Sequence, residues 1–279
     1  MRITVLCDNS VGPISGTLGE HGFSALVERE GGESILFDTG QGHTLLHNAD
    51  RMNKDLTMVG SVVISHGHFD HSGGLVPLLQ RIGSRTVLAH PGVFTERFAR
   101  RDSGESYPVG LKLSRDDYEA CGAKFDLSAE YRQIAGGVFL TGEVPRLTPY
   151  EKGDQGLFCG STNPVIDATP DDQSMVIETQ KGLVILLGCC HAGLINTLEW
   201  IIQKSGRRDI YGIIGGTHLG FCDQNQLEMT IKAIKGYGIR KLAVSHCTGF
   251  AAAARLSREF ARQFQSAMVG FTLEINETL

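Results

Sequence analysis

Three histidines and one aspartate crowd into the run Ser65-His66-Gly67-His68-Phe69-Asp70-His71-Ser72-Gly73-Gly74, directly after the apolar stretch Ser61-Val62-Val63-Ile64. Imidazole nitrogens and a carboxylate oxygen at this density suit Zn²⁺, Fe or Mn²⁺, and they need no thiolate to complete a site. His66 and His68 stand at i and i+2, so they point the same way if strand geometry persists for one more step. Asp70 and His71, on the turn into a helix, can then face a second metal position. A half-buried cluster of this kind without an ion would leave several ring nitrogens needing hydrogen-bond partners.

Three more histidines sit in short motifs: Gly188-Cys189-Cys190-His191-Ala192-Gly193, Gly215-Gly216-Thr217-His218-Leu219 and Ser245-His246-Cys247-Thr248-Gly249. Each follows an apolar strand-like segment and precedes a helical one, where α/β folds gather their sites. One such histidine alone would be read as a satisfied core residue. The three together with the first run favour a site role for His191 and His246. His90 follows a strand but has undistinctive flanks, and His21, His43 and His47 are read as structural or surface residues. Asp38, in Phe37-Asp38-Thr39-Gly40, is expected to orient a ligand histidine or close its turn rather than to bind metal.

The elements that must hold these motifs are legible as strand and helix alternations. Arg2 to Leu6, Ser24 to Glu28, Ser34 to Phe37, Ser61 to Ile64 and Thr86 to Ala89 read as strands in the first half, with helices over Gly42 to Met52 and Gly74 to Ile82. The second half offers strands at Met175 to Thr179, Leu183 to Leu187, Ile210 to Ile214 and Lys241 to Val244. Helices are expected over Leu194 to Gln203 and Gln224 to Lys235, the latter with Leu227, Ile231 and Ile234 as its apolar stripe. Between the halves, Phe94 to Pro170 shows only weak periodicity. It is read as an insertion that either covers the site or is a surface elaboration with its own hairpin.

Composition narrows the class. The chain has 279 residues, 41% of them hydrophobic, and 26 Lys+Arg against 31 Asp+Glu give a net charge of −5. With no basic run, a nucleic-acid-binding surface is not expected. The 35 glycines are well above a usual ~7% and follow no collagen-like period, so they mark turns and close backbone approaches. Seven cysteines without a Cys-x-x-Cys pair argue against a disulfide framework and for a reducing compartment. No signal peptide is readable, and no apolar run approaches the ~20 residues a bilayer requires. The expectation is a soluble, cytoplasmic protein with a small-molecule substrate, no membrane partner, and homo-oligomerisation left open.

The His66-x-His68-x-Asp70-His71 run, the earlier Phe37-Asp38-Thr39-Gly40 and the order of the later histidines resemble the metallo-β-lactamase fold superfamily of metallo-hydrolases over nearly the whole chain. The resemblance implies an α/β protein, an αββα four-layer sandwich of two similar halves, forming one domain over residues 1–279. It implies that His191 completes a metal site with His66 and His68, and that His246 joins Asp70 and His71 at a second. Zn²⁺ is the expected ion, one or two per chain, with Fe or Mn²⁺ as alternatives. Where many members carry an aspartate bridging two metals, this chain has Gly188-Cys189, so Cys189, Cys190 or Asp172 is expected in that role. His218 has no ligand counterpart and is assigned to substrate contact or proton transfer, with support of a ligand as the alternative.

Glu20-His21-Gly22-Phe23-Ser24, FDTGQG, Thr141-Gly142-Glu143-Val144-Pro145-Arg146, CCHAGLINT, GGTHL and HCTG are together similar to one branch of that superfamily, the 7,8-dihydropterin-6-methyl-4-(β-D-ribofuranosyl)aminobenzene-5′-phosphate synthases. A phosphorylated substrate would make Arg146 a candidate phosphate clamp, with a surface salt bridge as its alternative. The leading expectation is a metal-dependent hydrolase acting on a small phosphorylated or ester substrate, with metal lowering the pKa of water to near ~7. Asp70 would orient that water and His218 would donate a proton or hold the oxyanion. The alternatives are a synthase-type transferase handling a pterin, for which an aromatic content of 7% offers no evident stacking platform, and a redox or non-catalytic metal-binding protein.

Overall fold

The apolar run Gly182–Leu187 is buried at every position, so both its faces must be covered. Leu183, Ile185 and Leu187 pack with one set of helices, while Val184 and Leu186 point into a second core on the opposite face. That parity organises the molecule. A computed structural model describes residues 1–101, 103–161 and 164–275. Asp102, Thr162 and Asn163 of the expected insertion lie outside the described residues.

The first sheet has seven strands in the order Thr272–Glu274, Arg2–Cys7, Ser24–Glu28, Ser34–Phe37, Val59–Val63, Arg85–Ala89 and Ala123–Leu127. The last four run parallel and the rest pair antiparallel. The second sheet also has seven strands, in the order Phe264–Ser266, Lys241–Ser245, Ile210–Gly216, Gly182–Leu187, Met175–Thr179, Val138–Leu140 and Arg132–Ala135. Its first four are parallel. Each half thus presents four parallel strands whose C-terminal ends deliver loops to one edge.

Three cores separate four layers. Ile3, Val5, Val27, Phe37 and Val63 of the first sheet meet Leu140, Ile177, Val184 and Ile214 of the second between the sheets. Leu26, Leu36, Val62 and Val87 face outward to helices Leu45–Arg51, Leu75–Ile82 and Arg115–Ala120. Ile185, Ile213 and Val244 face helices Leu194–Ser205, Gln224–Ile234 and Phe250–Glu259. Leu75, Leu78, Leu79 and Ile82 recur at helical spacing and are buried; each such side chain contributes ~1.5–3 kcal/mol by leaving water. This is the expected αββα sandwich. Among the described residues no helix is long and apolar enough to cross a membrane.

Residues 94–170 depart from the expected insertion. Ala123–Leu127 extends the first sheet, and Arg132–Ala135 with Val138–Leu140 extend the second, so part of this span is scaffold. The remainder includes a separate sheet of four short strands in the order Val165–Ile166, Leu157–Cys159, Arg97–Arg100 and Ser106–Pro108. Ala99, Arg100, Tyr107 and Leu157 from that small sheet line the cleft above the histidines.

Candidate metal centre

Each histidine motif is delivered by the C-terminal end of a parallel strand: Val59–Val63 leads to His66, Gly182–Leu187 to His191, Ile210–Gly216 to His218 and Lys241–Ser245 to His246. The backbone turns hard at these points. Asp38, Cys190, His218 and His246 hold φ of 60°, 65°, 55° and 49°, a region that costs about 1–3 kcal/mol for a residue with a side chain and that concentrates at functional sites. The surrounding sheets hold the strain in place.

His66, His68 and His191 form the first donor set. His66 Nε2 lies 2.9 Å from His68 Nδ1 and 3.2 Å from His191 Nε2. Burial holds the His66 and His191 rings well below the usual histidine range and His68 at about 4, so all three are neutral near pH 7. Asp70, His71 and His246 form the second set. His71 Nε2 is 3.2 Å from His246 Nε2, and Asp70 Oδ2 is 3.3 Å from His246 Nε2 and 3.8 Å from His71 Nε2. Burial lowers the His71 pKa, but the Asp38 and Asp70 charges outweigh it and raise the ring to about 9. Burial likewise opposes ionisation of Asp70, yet His71, His21 and His246 hold its carboxyl well below the usual range.

Cys189 stands between the sets. Its Sγ is 3.1 Å from His71 Nε2, and it falls within 4.8 Å of both the His66/His191 and the His71/His246 nitrogens. Asp172, another residue expected in a bridging role, is not there. Its Oδ1 approaches the opposite ring nitrogen, His66 Nδ1, at 3.9 Å, and burial with the neighbouring Asp171 charge pushes its carboxyl up to about 7. Cys190 points away, its Sγ 3.3 Å from Thr197 Oγ1.

Asp38 sets the orientation of both groups. Its Oδ2 accepts from His71 Nδ1 at 2.7 Å and from Ser65 Oγ at 2.7 Å, and Ser65 Oγ is in turn 2.9 Å from His66 Nδ1. A Cβ on Gly188 would fall 2.2 Å from Ser65 Oγ and 3.1 Å from Asp38 Oδ2, so this relay needs glycine there. On the far side, His246 Nδ1 is 2.9 Å from Asn9 Oδ1, and Asp8 Oδ1 accepts from the His246 amide at 2.7 Å.

Whether these residues suit a metal ion is decided by where their hydrogens can sit. With Nδ1–H of His71 given to Asp38 and Nδ1–H of His246 given to Asn9, the two Nε2 atoms, once free of protons, would carry lone pairs aimed at one another. Ser65 Oγ–H goes to Asp38, so Ser65 accepts from His66 Nδ1–H and His66 Nε2 also presents a lone pair. His68 Nδ1 and His191 Nε2 face His66 Nε2, while the opposite nitrogens of those two rings have no hydrogen-bond partner among the described residues. Donors around a tetrahedral ion with bonds of about 2.0–2.3 Å stand roughly 3.3–3.8 Å apart, close to the spacings seen here. The donor set therefore fits a metal ion in each position, with imidazole, carboxylate and thiolate as ligands.

The remaining expected site residues divide. His218 lines the cleft, its ring centroid 4.2 Å from that of His191 and its Nε2 3.5 Å from Asp154 Oδ2. Burial works against protonation of His218, but Asp154 and Cys247 beside it raise the ring to about 9. Arg146 is no anion clamp. Its guanidinium donates to the carbonyls of Glu151, Ala168, His191 and Ala192 at 3.0–3.3 Å, so it fastens the turn that carries His191. Glu151 secures the same turn, with its carboxylate accepting from the Ile195 and Asn196 amides at the start of the following helix, a favourable place for negative charge.

Several residues escaped the sequence reading. His21, expected to be a structural or surface residue, has Nε2 3.2 Å from Asp70 Oδ2 and its ring 4.8 Å from that of His246. The only sequence signal was its glycine-flanked run, Glu20-His21-Gly22. The cleft, about 1080 Å³ and open to solvent, also gathers Phe69, Arg100, Tyr107, Asp154 and Phe221. The low aromatic content thus concealed three rings at one site.

A four-layer αββα sandwich with His, Asp and Cys donors at its strand ends defines a metallo-hydrolase-type scaffold, and residues 18–246 match the metallo-beta-lactamase superfamily. The chain belongs to that superfamily. It is 31% identical over 279 residues to the 7,8-dihydropterin-6-methyl-4-(beta-D-ribofuranosyl)-aminobenzene-5′-phosphate synthase of Methanocaldococcus jannaschii, covering 97% of this chain and 95% of that protein. The crystal structure of Tm1679, a metal-dependent hydrolase of the beta-lactamase superfamily, superposes with a TM-score of 0.85 at 29% identity, covering 99% of each chain. Zn²⁺-bound PqqB from Methylobacterium extorquens shares the fold, with a TM-score of 0.58 at 14% identity over 99% of this chain and all of that one.

Proposed function

We propose that the protein is a metal-dependent hydrolase acting on a small phosphorylated or ester substrate. The observation that carries this reading is the convergence of two donor sets on Cys189 Sγ at the floor of the cleft, with His218 beside them. His66, His68 and His191 would hold one ion, and Asp70, His71 and His246 a second, with Cys189 as thiolate between them. Zn²⁺ suits this mixture of nitrogen, oxygen and sulfur donors. When bound, such an ion supplies Lewis acidity and a nucleophilic water at neutral pH.

The chain's own residues do the rest. Asp70, held by His21, orients what binds on the second side. His218, kept protonated by Asp154 beside its Nε2, would donate a proton to the departing oxygen. Arg100 and Tyr107 on the small sheet close one wall, and Phe69 and Phe221 offer apolar faces for the substrate body. A small-molecule ligand, rather than nucleic acid or a membrane, is in keeping with the net charge of −5, and the seven free cysteines suit a reducing, cytoplasmic setting.

The second reading, a transferase that joins a pterin to a ribosylaminobenzene phosphate, is favoured by the identity to the synthase over 97% of the chain and by the three cleft aromatics. The test is metal analysis of protein purified without added metal, followed by phosphodiester, phosphomonoester and lactone panels with mass detection of products. Metal-dependent release of the cleaved products supports hydrolysis. A condensed product without hydrolysis transfers the assignment to the synthase, and bound metal with neither activity favours a non-catalytic role.

A further inference from the structure

Arg97 opens the small sheet and is 1% exposed, although nothing in its strand requires a buried charge. Its Nε donates to Asp167 Oδ2 at 2.7 Å and its Nη2 to Asp171 Oδ1 at 2.5 Å, both partners being buried. The two carboxylates then differ. Asp171 Oδ2 accepts the Gly67 amide at 2.8 Å, and Gly67 is the residue between His66 and His68. Asp167 spends its other oxygen on Thr169 within its own loop.

Gly67 is closely confined. A Cβ there would lie 2.1 Å from the Val93 carbonyl oxygen and 2.7 Å from Arg97 Nη1. Two residues after Asp171, Gln173 continues the grip: its amide donates to Ser65 O at 2.9 Å and its Nε2 to Ile64 O at 3.1 Å. Residues 171–173 therefore lie along the back of 64–67. A buried ion pair is costly to desolvate, and its useful product here is a fixed amide.

We infer that Arg97 and Asp171 are positioning residues for the first donor set: the guanidinium fixes Asp171, Asp171 fixes the Gly67 amide, and the spacing of His66 Nε2 and His68 Nδ1 follows. The inference rests on the reading of His66, His68 and His191 as ligands. It makes the small sheet part of the metal centre's frame as well as a wall of the cleft.

The test compares Asp171→Ala with Asp167→Ala, each with and without His246→Ala, which leaves the first set the only complete one. Co²⁺ affinity is measured by chelator competition, the d–d spectrum is recorded, and Tm is taken before metal addition. Asp171→Ala is expected to weaken Co²⁺ binding by the first set about 10–100-fold and to alter its spectrum. Asp167→Ala, which removes the same charge from Arg97 without touching Gly67, is expected to lower Tm while leaving affinity within about threefold. Equal losses in the two variants, or wild-type affinity and spectrum in Asp171→Ala, overturn the inference. If Asp171→Ala does not fold, Arg97→Lys, too short to reach both carboxylates, carries the same expected loss and the same refutation. Absence of Co²⁺ binding in His246→Ala alone would instead refute the ligand reading.

Discussion

His71 and His246 face each other nitrogen to nitrogen across 3.2 Å, with their opposite ring nitrogens tied to Asp38 and Asn9. The Asp38 and Asp70 charges outweigh burial and raise His71 to about 9, so near pH 7 the metal-free ring keeps a second proton in that gap. Ligation must expel it. Cys189, pushed up by burial and by Cys247, must also lose its proton to become a ligand, whereas the first set is already neutral. Loading both positions at pH 7 is therefore expected to release at least two protons, one from each of these ligands and a further fraction from metal-bound water, measured by calorimetry in buffers of different ionisation enthalpy. Release near zero would contradict the second donor set.

Asp38→Asn preserves shape but replaces an acceptor oxygen with a donor facing His71 Nδ1 and Ser65 Oγ. The wrong tautomers should follow in both sets. Metal affinity is expected to fall 10–100-fold at each, read by competition with a chromophoric chelator. A loss confined to one position would show that Ser65 does not relay Asp38 to His66.

Cys189 and Cys190 are adjacent in sequence and opposed in role. Co²⁺-loaded protein is expected to show sulfur-to-cobalt charge-transfer absorption that Cys189→Ala abolishes and Cys190→Ala retains. Persistence of the band in Cys189→Ala would remove the thiolate from the site.

His218, raised to about 9 by Asp154 and Cys247, acts as an acid only while protonated. Hydrolysis should hold up to about pH 9 and fall as pH rises through it. His218→Ala is expected to lower kcat by 10²–10⁴ with a smaller change in KM, and to erase the alkaline limb. In Asp154→Asn that limb should move to lower pH, which a pH–rate profile resolves.

The donor residues were legible where spacing is local. His66 to His71 fall on one strand-to-helix turn, and the motifs at Cys189, His218 and His246 announce themselves by glycine and by a preceding apolar strand. Contacts between distant segments were not legible. His21 reaches Asp70 only because the Ser24–Glu28 strand begins beside the second set, and a charged Arg146 does not reveal that carbonyls rather than a phosphate accept its hydrogen bonds. The small sheet was missed because strands as short as Ser106–Pro108 and Leu157–Cys159 carry no readable period. Asp172 precedes the strands that lead to the expected bridging position, and the side of His66 it approaches depends on how 171–173 lie along 64–67.

Neither sheet owns a complete donor set: His66 and His68 come from the first and His191 from the second, while Asp70 and His71 come from the first and His246 from the second. An ion held by both sides is a non-covalent crosslink across the seam, made at an edge where the inter-sheet core gives way to loops. Chelation should then lower Tm by an amount set by free metal concentration over Kd, and limited proteolysis should begin in the loops after Val63 and Leu187 before it reaches the strands. The metal centre would in that sense be the clasp of the sandwich as well as its chemistry.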